Sequence, residues 1–135
     1  MQNLPRGLRN NNPLNIRISS TPWLGKITEN TDGAFEQFIT LEYGLRAGLV
    51  NIRTYIKRDR LDSISVIIPK WAPAHDGNDV RAYVRLVSDK SRVPATRRLS
   101  YNDRFELCRI VWAMAWVECG QEISISAVEK AWALI

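Results

Sequence analysis

Glu118 stands where an apolar helical stripe asks for a hydrophobe. From Ser100 the chain reads SYNDRFELCRIVWAMAWVECGQE, and Leu107, Val111, Met114 and Glu118 recur at spacings of 4, 3 and 4. At roughly 100° per residue those side chains share one helix face within about 40°. Three are core-type residues; the fourth is a carboxylate in the last turn, followed at once by Cys119-Gly120. A helix C-terminus carries negative partial charge and disfavours an ionised Glu. Apolar neighbours such as Val117 and Trp116 disfavour it further by desolvation. Both effects raise the carboxyl pKa, as a general acid working near neutral pH requires. The competing reading is a partly exposed Glu at a fraying helix end, or one paired with an Arg.

Other chemistries find less support. Cys108 and Cys119 lie 11 residues apart on one predicted helix, about 16 Å by rise and too far for a disulfide. Both are expected to be reduced thiols. A single His without a Cys/His cluster argues against a zinc site, so no metal and no cofactor is expected. His75, in the polar turn HDGND, is expected to be exposed.

The elements that must position Glu118 fit one domain over residues 1–135, long enough to bury a core without staples. A hydrophobic content of 45% with 24% charged residues is ordinary for a soluble globular chain. No apolar run approaches the roughly 20 residues of a bilayer span. The N-terminus MQNLPRGLRNNNPLNIR lacks the apolar region of a secretory signal. The chain is therefore expected to be made in the cytoplasm. Its net charge of +5 favours encounters with polyanions.

The first 40 residues differ from the rest. They hold Asn runs, three of the six prolines and three of the seven glycines, which is loop composition. Asn15–Ser19 and Phe35–Thr40 are the predicted short strands, forming a small hairpin. From Leu41 the pattern becomes helical: Leu45, Leu49, Ile52 and Ile56 make one amphipathic face. A short helix is predicted through Leu61–Ile68, stopped by Pro69. Another carries Val80, Tyr83, Val84 and Val87, with N-cap candidates between Asp76 and Asp79. Ser100 with Asp103 suggests a cap for the long helix. Ser126 with Glu129 has capping-box spacing for a last helix whose apolar face is Val128, Ala131, Trp132 and Ile135. The expected fold class is mainly α (α+β), helices with a small N-terminal β-hairpin or loop element.

Three segments together resemble a family: RGLRNNNPLNIR at Arg6–Arg17 with the following Trp23-Leu24-Gly25 and Phe35–Phe38, WAPAHDGNDVRAYVRLV at Trp71–Val87, and AMAWVECG at Ala113–Gly120. Their order is similar to that of phage-type peptidoglycan-degrading proteins with a lysozyme-like fold, and the similarity covers nearly the whole chain. RNNNP-x-NIR is its most specific part. In lytic transglycosylases the catalytic Glu ends a buried helix before a small residue and Gly, much as Glu118-Cys119-Gly120 stand here. Bacterial glucosaminidases place an N-x-x-N-I-like segment after their Glu, whereas Asn12–Ile16 lies far ahead of Glu118. That order implies a circularly permuted lysozyme-like fold.

The resemblance implies cleavage of peptidoglycan glycan strands by a lytic transglycosylase or muramidase, with Glu118 as general acid/base. Asn12 and Asn15 would donate amide hydrogen bonds to the sugar, although turn chemistry explains an Asn run equally well. Tyr43 and Tyr83 are candidate positioning residues, with core packing as the competing reading for Tyr83. Trp23 and Trp71, on loop-like segments, are candidate sugar platforms, whereas Trp112, Trp116 and Trp132 are expected in the core. Glu29 and Asp32, in TENTDG, are the candidate second carboxylate of a hydrolytic route, and Glu36 is expected to point outward. With one Glu alone, an anhydro-forming route fits better. The partner would be bacterial peptidoglycan, reached during phage lysis through a holin, or from a virion or injection device.

Two rival readings accompany this one. A catalytically inactive phage structural or cell-wall-binding protein keeps the fold without the activity. A small basic nucleic-acid-binding domain is permitted by the charge, but no helix concentrates Arg and Lys on one face in the manner of a groove reader. Nucleic acid is not the expected partner.

Overall fold

The spacing from Leu45 to Ile56 produces the longest helix among the described residues, and Leu45, Leu49, Ile52 and Ile56 are all buried. The computed structural model describes residues 4–135. Among them run six helices: α1 (Arg6–Arg9), α2 (Leu41–Lys57), α3 (Ile64–Trp71), α4 (Val80–Ser91), α5 (Arg104–Cys119) and α6 (Ile125–Ala133), with a single 3-10 turn at Ala74–Asp76. The fold is mainly helical.

Helix α5 is the axis of the core. Leu107, Cys108, Ile110, Val111, Ala113, Met114 and Ala115 are all buried, so α5 is apolar almost all round, as a helix enclosed by others must be. Helices α2, α4 and α6 pack against it, α6 also packs on α2, and α3 on α4. No helix among the described residues is long and apolar enough to cross a membrane.

Helix ends follow local chemistry, with three departures from expectation. Asp79 caps α4 as expected, its carboxylate accepting from the Ala82 amide at 3.1 Å. Pro69 does not stop α3, which continues to Trp71: proline's fixed φ suits a helix, and the helix runs on for two residues at the cost of the bond that a residue 69 N–H would have made to the Ser65 carbonyl. Asp103 precedes α5 but turns its carboxylate back to the Ser100 amide at 2.8 Å. Helix α6 is capped by Ser124, which accepts from the Ser126 amide at 3.2 Å, so Ser126 lies inside the first turn, and Glu129 bonds Arg104 at 2.9 Å instead of closing a capping box.

The expected hairpin strands do not form. Among its described residues the N-terminal region carries only two isolated antiparallel bridges, Arg17 with Phe35 and Lys26 with Phe38. Asn11 and Asn15 adopt left-handed φ values of 51° and 53°, which break an extended run but which Asn tolerates. Side chains replace the missing ladder. Asn30 and Asp32 accept from the backbone amides between Asp32 and Phe35. Asp32 also takes a two-pronged bond from Arg6.

This loop region docks on α2 through two glycines one turn apart. A Cβ at Gly44 would overlap the Asn11 carbonyl, and one at Gly48 would overlap the Leu14 side chain. The loop thus lies directly on the backbone of α2, and the fully buried Leu14 carries the core across to it.

Candidate active site

Glu118 takes its position from the stripe of α5. Leu107, Val111 and Met114 are fully buried below it, and Gly120, at φ 73°, ends the helix two residues later. The carboxylate is held by two hydrogen bonds. The Tyr83 hydroxyl of α4 donates to Oε2 at 2.8 Å and the Asn15 amide donates to Oε1 at 3.5 Å, while the Trp71 indole N–H at the end of α3 is a further donor whose presence favours the ion. Burial nevertheless dominates and pushes the Glu118 carboxyl above its ordinary value, against the lowering effect of the three donors. Burial and the neighbouring Glu118 charge push the Tyr83 hydroxyl far up as well, so Tyr83 stays a neutral donor.

Asn15 reaches this site from the far end of the sequence, 103 residues from Glu118. Its amide also donates to the Glu118 carbonyl at 3.3 Å, satisfying one of the carbonyls that a helix end leaves unpaired. The left-handed backbone at Asn15 follows from a bracket built by Asn12. The Asn12 amide donates to the Ile16 and Glu36 carbonyls at 2.9 Å each, and its oxygen accepts from the Ile16 amide at 3.0 Å. Asn12 is therefore fully buried with its hydrogen-bonding groups engaged. It lies outside the cleft, contrary to the expectation that it would meet sugar, because its side chain holds the turn that aims Asn15.

An open cleft of about 440 Å³ begins at Glu118 and is walled by Asn15 and Trp71. Several further lining residues are not among the expected site residues: Arg17, Asn51, Tyr55, Lys70, Asp76 and Asn78. Asn51 and Tyr55 are four apart on α2, beside its apolar face, so helical periodicity groups them; the distant wall they share with Glu118 leaves no local signal. Tyr55 meets Trp71 edge to face, with centroids 6.4 Å apart. The Asn78 amide ties its loop to the Pro73 carbonyl at 3.0 Å.

The remaining expected site residues lie elsewhere. Tyr43 packs where a Cβ on Gly25 would stand, and Trp23 is half-buried against the core; neither lines the cleft. Glu29 is exposed on another surface depression, beside Arg9 and Gln37. Asp32 is used up by Arg6, Asn10 and two backbone amides, and the Arg6 guanidinium holds its carboxyl well below the usual carboxylate range. Glu36 does not point outward: it is fully buried, with Lys26 Nζ at 3.0 Å and the Ser19 amide at 3.2 Å from Oε2. Trp112 and Trp132 sit half-buried at the edge of the core. His75 is exposed, as expected.

A half-buried carboxyl ending a helix, held by neutral donors and open to a polar cleft, can give up a proton and take it back. Among the described residues the site contains no Ser–His or Cys–His pair for nucleophilic chemistry: His75 is on an exposed turn, and burial raises both cysteine thiols.

No family model matches the chain. Over 98 aligned residues it is 42% identical to Protein P5 of Pseudoalteromonas phage PM2, an alignment covering 70% of this chain and 61% of that protein. The chain thus spans about three-fifths of the curated relative it matches, and that relative belongs to a bacteriophage.

Proposed function

We propose that this protein cuts the glycan strands of peptidoglycan on a lysozyme-like scaffold, with Glu118 as the acid that protonates the glycosidic oxygen. The observation that carries the reading is the placement of the Glu118 carboxyl at the end of α5, bonded by Tyr83 and Asn15 and lining a cleft that Trp71 walls, where burial raises its pKa. A carboxyl raised by burial keeps its proton closer to neutrality, and its conjugate base is then strong enough to recover one. The bond from glycosidic oxygen to C1 breaks as the Glu118 proton moves to the leaving oxygen. The resulting oxocarbenium-like centre is closed by an oxygen nucleophile, whose proton returns to Glu118.

Two nucleophiles are chemically possible: water, or the C6 hydroxyl of the muramyl sugar itself. Glu29 and Asp32 stand away from the cleft, so neither supports the two-carboxylate hydrolytic route. This favours ring closure to the 1,6-anhydro product by Glu118 acting alone. Asp76 is the other carboxylate lining the cleft, and the Asp76→Asn variant is expected to keep the anhydro product.

Glu118→Gln removes the transferable proton at nearly constant volume and is expected to lower cleavage of purified sacculi by about 10²–10⁴-fold. Mass spectrometry of the released muropeptides reads the route, since the anhydro end is one water lighter. A folded Glu118→Gln protein with undiminished turnover would overturn the assignment, and reducing ends alone would overturn the single-carboxylate route.

A further inference from the structure

Helix α2 gathers cations on a side that does not enter the core. Arg46, Arg53 and Lys57 follow one another at spacings of 7 and 4, which puts them within about 40° of one another around the helix. This departs from the expectation that no helix concentrates Arg and Lys on one face. The three line one open groove of about 300 Å³ with Val50, Thr54, Tyr101 and Ile135, and no Asp or Glu side chain lines it. By contrast, the Glu118 cleft sets Asp76 and Glu118 beside Arg17 and Lys70, and the depression at Gln37 sets Glu29 beside Arg9.

Lys and Arg without an ion pair are common on this chain, but nearly all of them stand in solvent. Among the described residues only Arg46, Arg53 and Arg109 lack an ion pair while half-buried, and the first two lie in this groove. Their charge is partly withdrawn from water, and the groups that replace the water are neutral. Arg46 Nε donates to the Leu134 carbonyl at 3.2 Å. Arg53 donates to the Tyr101 carbonyl at 2.8 Å and to Asn102 Oδ1 at 3.0 Å. Its guanidinium also lies 4.9 Å from the Trp132 ring centroid, and Lys57 Nζ lies 4.8 Å from that of Tyr101. Carbonyls and ring faces orient these cations without cancelling them. Nearby acids are turned elsewhere: Asp59 bonds Arg58, Asp103 the Ser100 amide and Glu129 Arg104. Glu42, one turn before Arg46, is not on the lining. Three like charges in one groove repel one another. An anion entering it relieves that repulsion and meets side chains already held, which lowers the ordering cost of binding.

We propose that this groove binds the phosphodiester backbone of a single-stranded nucleic acid. Arg46 and Lys57 are 11 residues apart, about 16 Å along α2. A strand lying along the helix meets all three charges, whereas a single phosphate meets one or two. Arg46 is bonded through Nε, which leaves its two terminal nitrogens for the forked contact that guanidinium makes with phosphate. A lipid surface fits less well. Helices that lie on bilayers sink an apolar face beside their cations, and the apolar face of α2, Leu45, Leu49, Ile52 and Ile56, is buried in the core. Binding is expected to be indifferent to base sequence, because the groove offers charge, and Arg53 and Lys57 already cover the Trp132 and Tyr101 rings. No residue of the groove lines the Glu118 cleft, so this activity is independent of glycan cleavage.

The test follows the fluorescence anisotropy of a labelled oligothymidylate of about twenty nucleotides on the full chain at several salt concentrations. Arg46→Gln, Arg53→Gln and Lys57→Gln together should weaken binding about tenfold or more and lower the slope of log K against log salt by about 2. The control carries Arg81→Gln, Arg85→Gln and Arg92→Gln, all exposed and without an ion pair among the described residues. It has the same net charge as the groove variant and should bind within about threefold of the parent. Arg46→Gln with Lys57→Gln, which keeps Arg53 and its bonds, should show an intermediate loss and reads the groove even where the triple variant does not fold. Equal losses in the groove and control variants, or no binding by the parent, overturn the site. Binding to phosphatidylglycerol vesicles that the groove substitutions remove, with no binding of the oligonucleotide, assigns the groove to a lipid surface and overturns the nucleic-acid reading.

Discussion

The first forty residues and the helical body solve the same folding problem by different means. The body, from Leu41 onward, buries contiguous apolar faces around α5, with Leu107, Val111 and Met114 fully enclosed. The loop region has few core side chains, among them Leu14, Ile16 and Phe38. It is held instead by amide and carboxylate side chains on its own backbone, with Asn10, Asn11, Asn12, Asn30, Asp32 and Gln37 all engaged. The difference shows where precision comes from. Apolar packing places a helix and its end residue, while directional hydrogen bonds aim one side chain from an irregular loop onto that end. The cleft lies where the two meet, with Glu118 from the body and Asn15 from the loop.

The sharpest contrast is expected between two buried deletions. Leu107→Ala should destabilise the whole molecule by about 2–5 kcal/mol through the cavity it leaves, measured by denaturant unfolding. Asn12→Ala should cost less globally, although each backbone group stripped of its partner costs about 1–3 kcal/mol locally. Its signature is local: faster amide exchange around Asn15–Ile18 with α5 still protected, together with a loss of cleavage that exceeds the loss of stability. Equal loss of protection in α5 would show that loop and body unfold as one unit and would break the comparison.

Tyr83→Phe tests the grip from the body side alone. Removing the hydroxyl takes away the first of the three donors that lower the Glu118 pKa, so the pKa should rise further. The alkaline limb of the pH–rate profile should then move to higher pH, with a change in maximal rate of about tenfold or less. An unmoved limb would detach Tyr83 from the protonation of Glu118.

The smallest effect separates stability from function at one residue. The folded-state pKa of Glu118 is raised above its ordinary 4.5, so the native state binds more protons than the unfolded chain between that value and the raised one. The contribution of Glu118 to stability is therefore intact below about pH 4.5 and is lost as pH rises through the folded pKa. Glu118→Gln, which never ionises, should melt at a higher temperature than the parent near neutrality, with the gap narrowing toward pH 4.5 and below. A lower Tm for the variant near neutrality would mean that the ionised carboxylate is stabilised by its donors rather than strained by burial.

The helical body was largely legible in advance because its signals are local and periodic. The faces of α2 and α5, the Asp79 cap and the position of Glu118 at the end of a buried stripe all follow from the 3.6-residue repeat. The loop region was legible only as loop. Its residues bond through side chains across gaps such as Asn12 to Glu36 and Arg6 to Asp32, and no repeat encodes those pairings. Hence two strands were expected where only single bridges occur, and Glu36 was expected outside although it is buried beside Lys26.

From sequence alone, Glu118 was marked as a carboxyl whose pKa burial and the helix end would raise, against a partly exposed or Arg-paired Glu as the competing reading, because helix periodicity and a helix end are properties of neighbouring residues. Which asparagine reaches it was decided only by the tertiary structure. Asn12 and Asn15 are chemically identical and three apart, and one became a buried bracket while the other became a partner of Glu118. Two helix glycines let the loop settle on α2, and the left-handed turn at Asn15 then gave that amide, rather than its neighbour's, a line to the carboxylate.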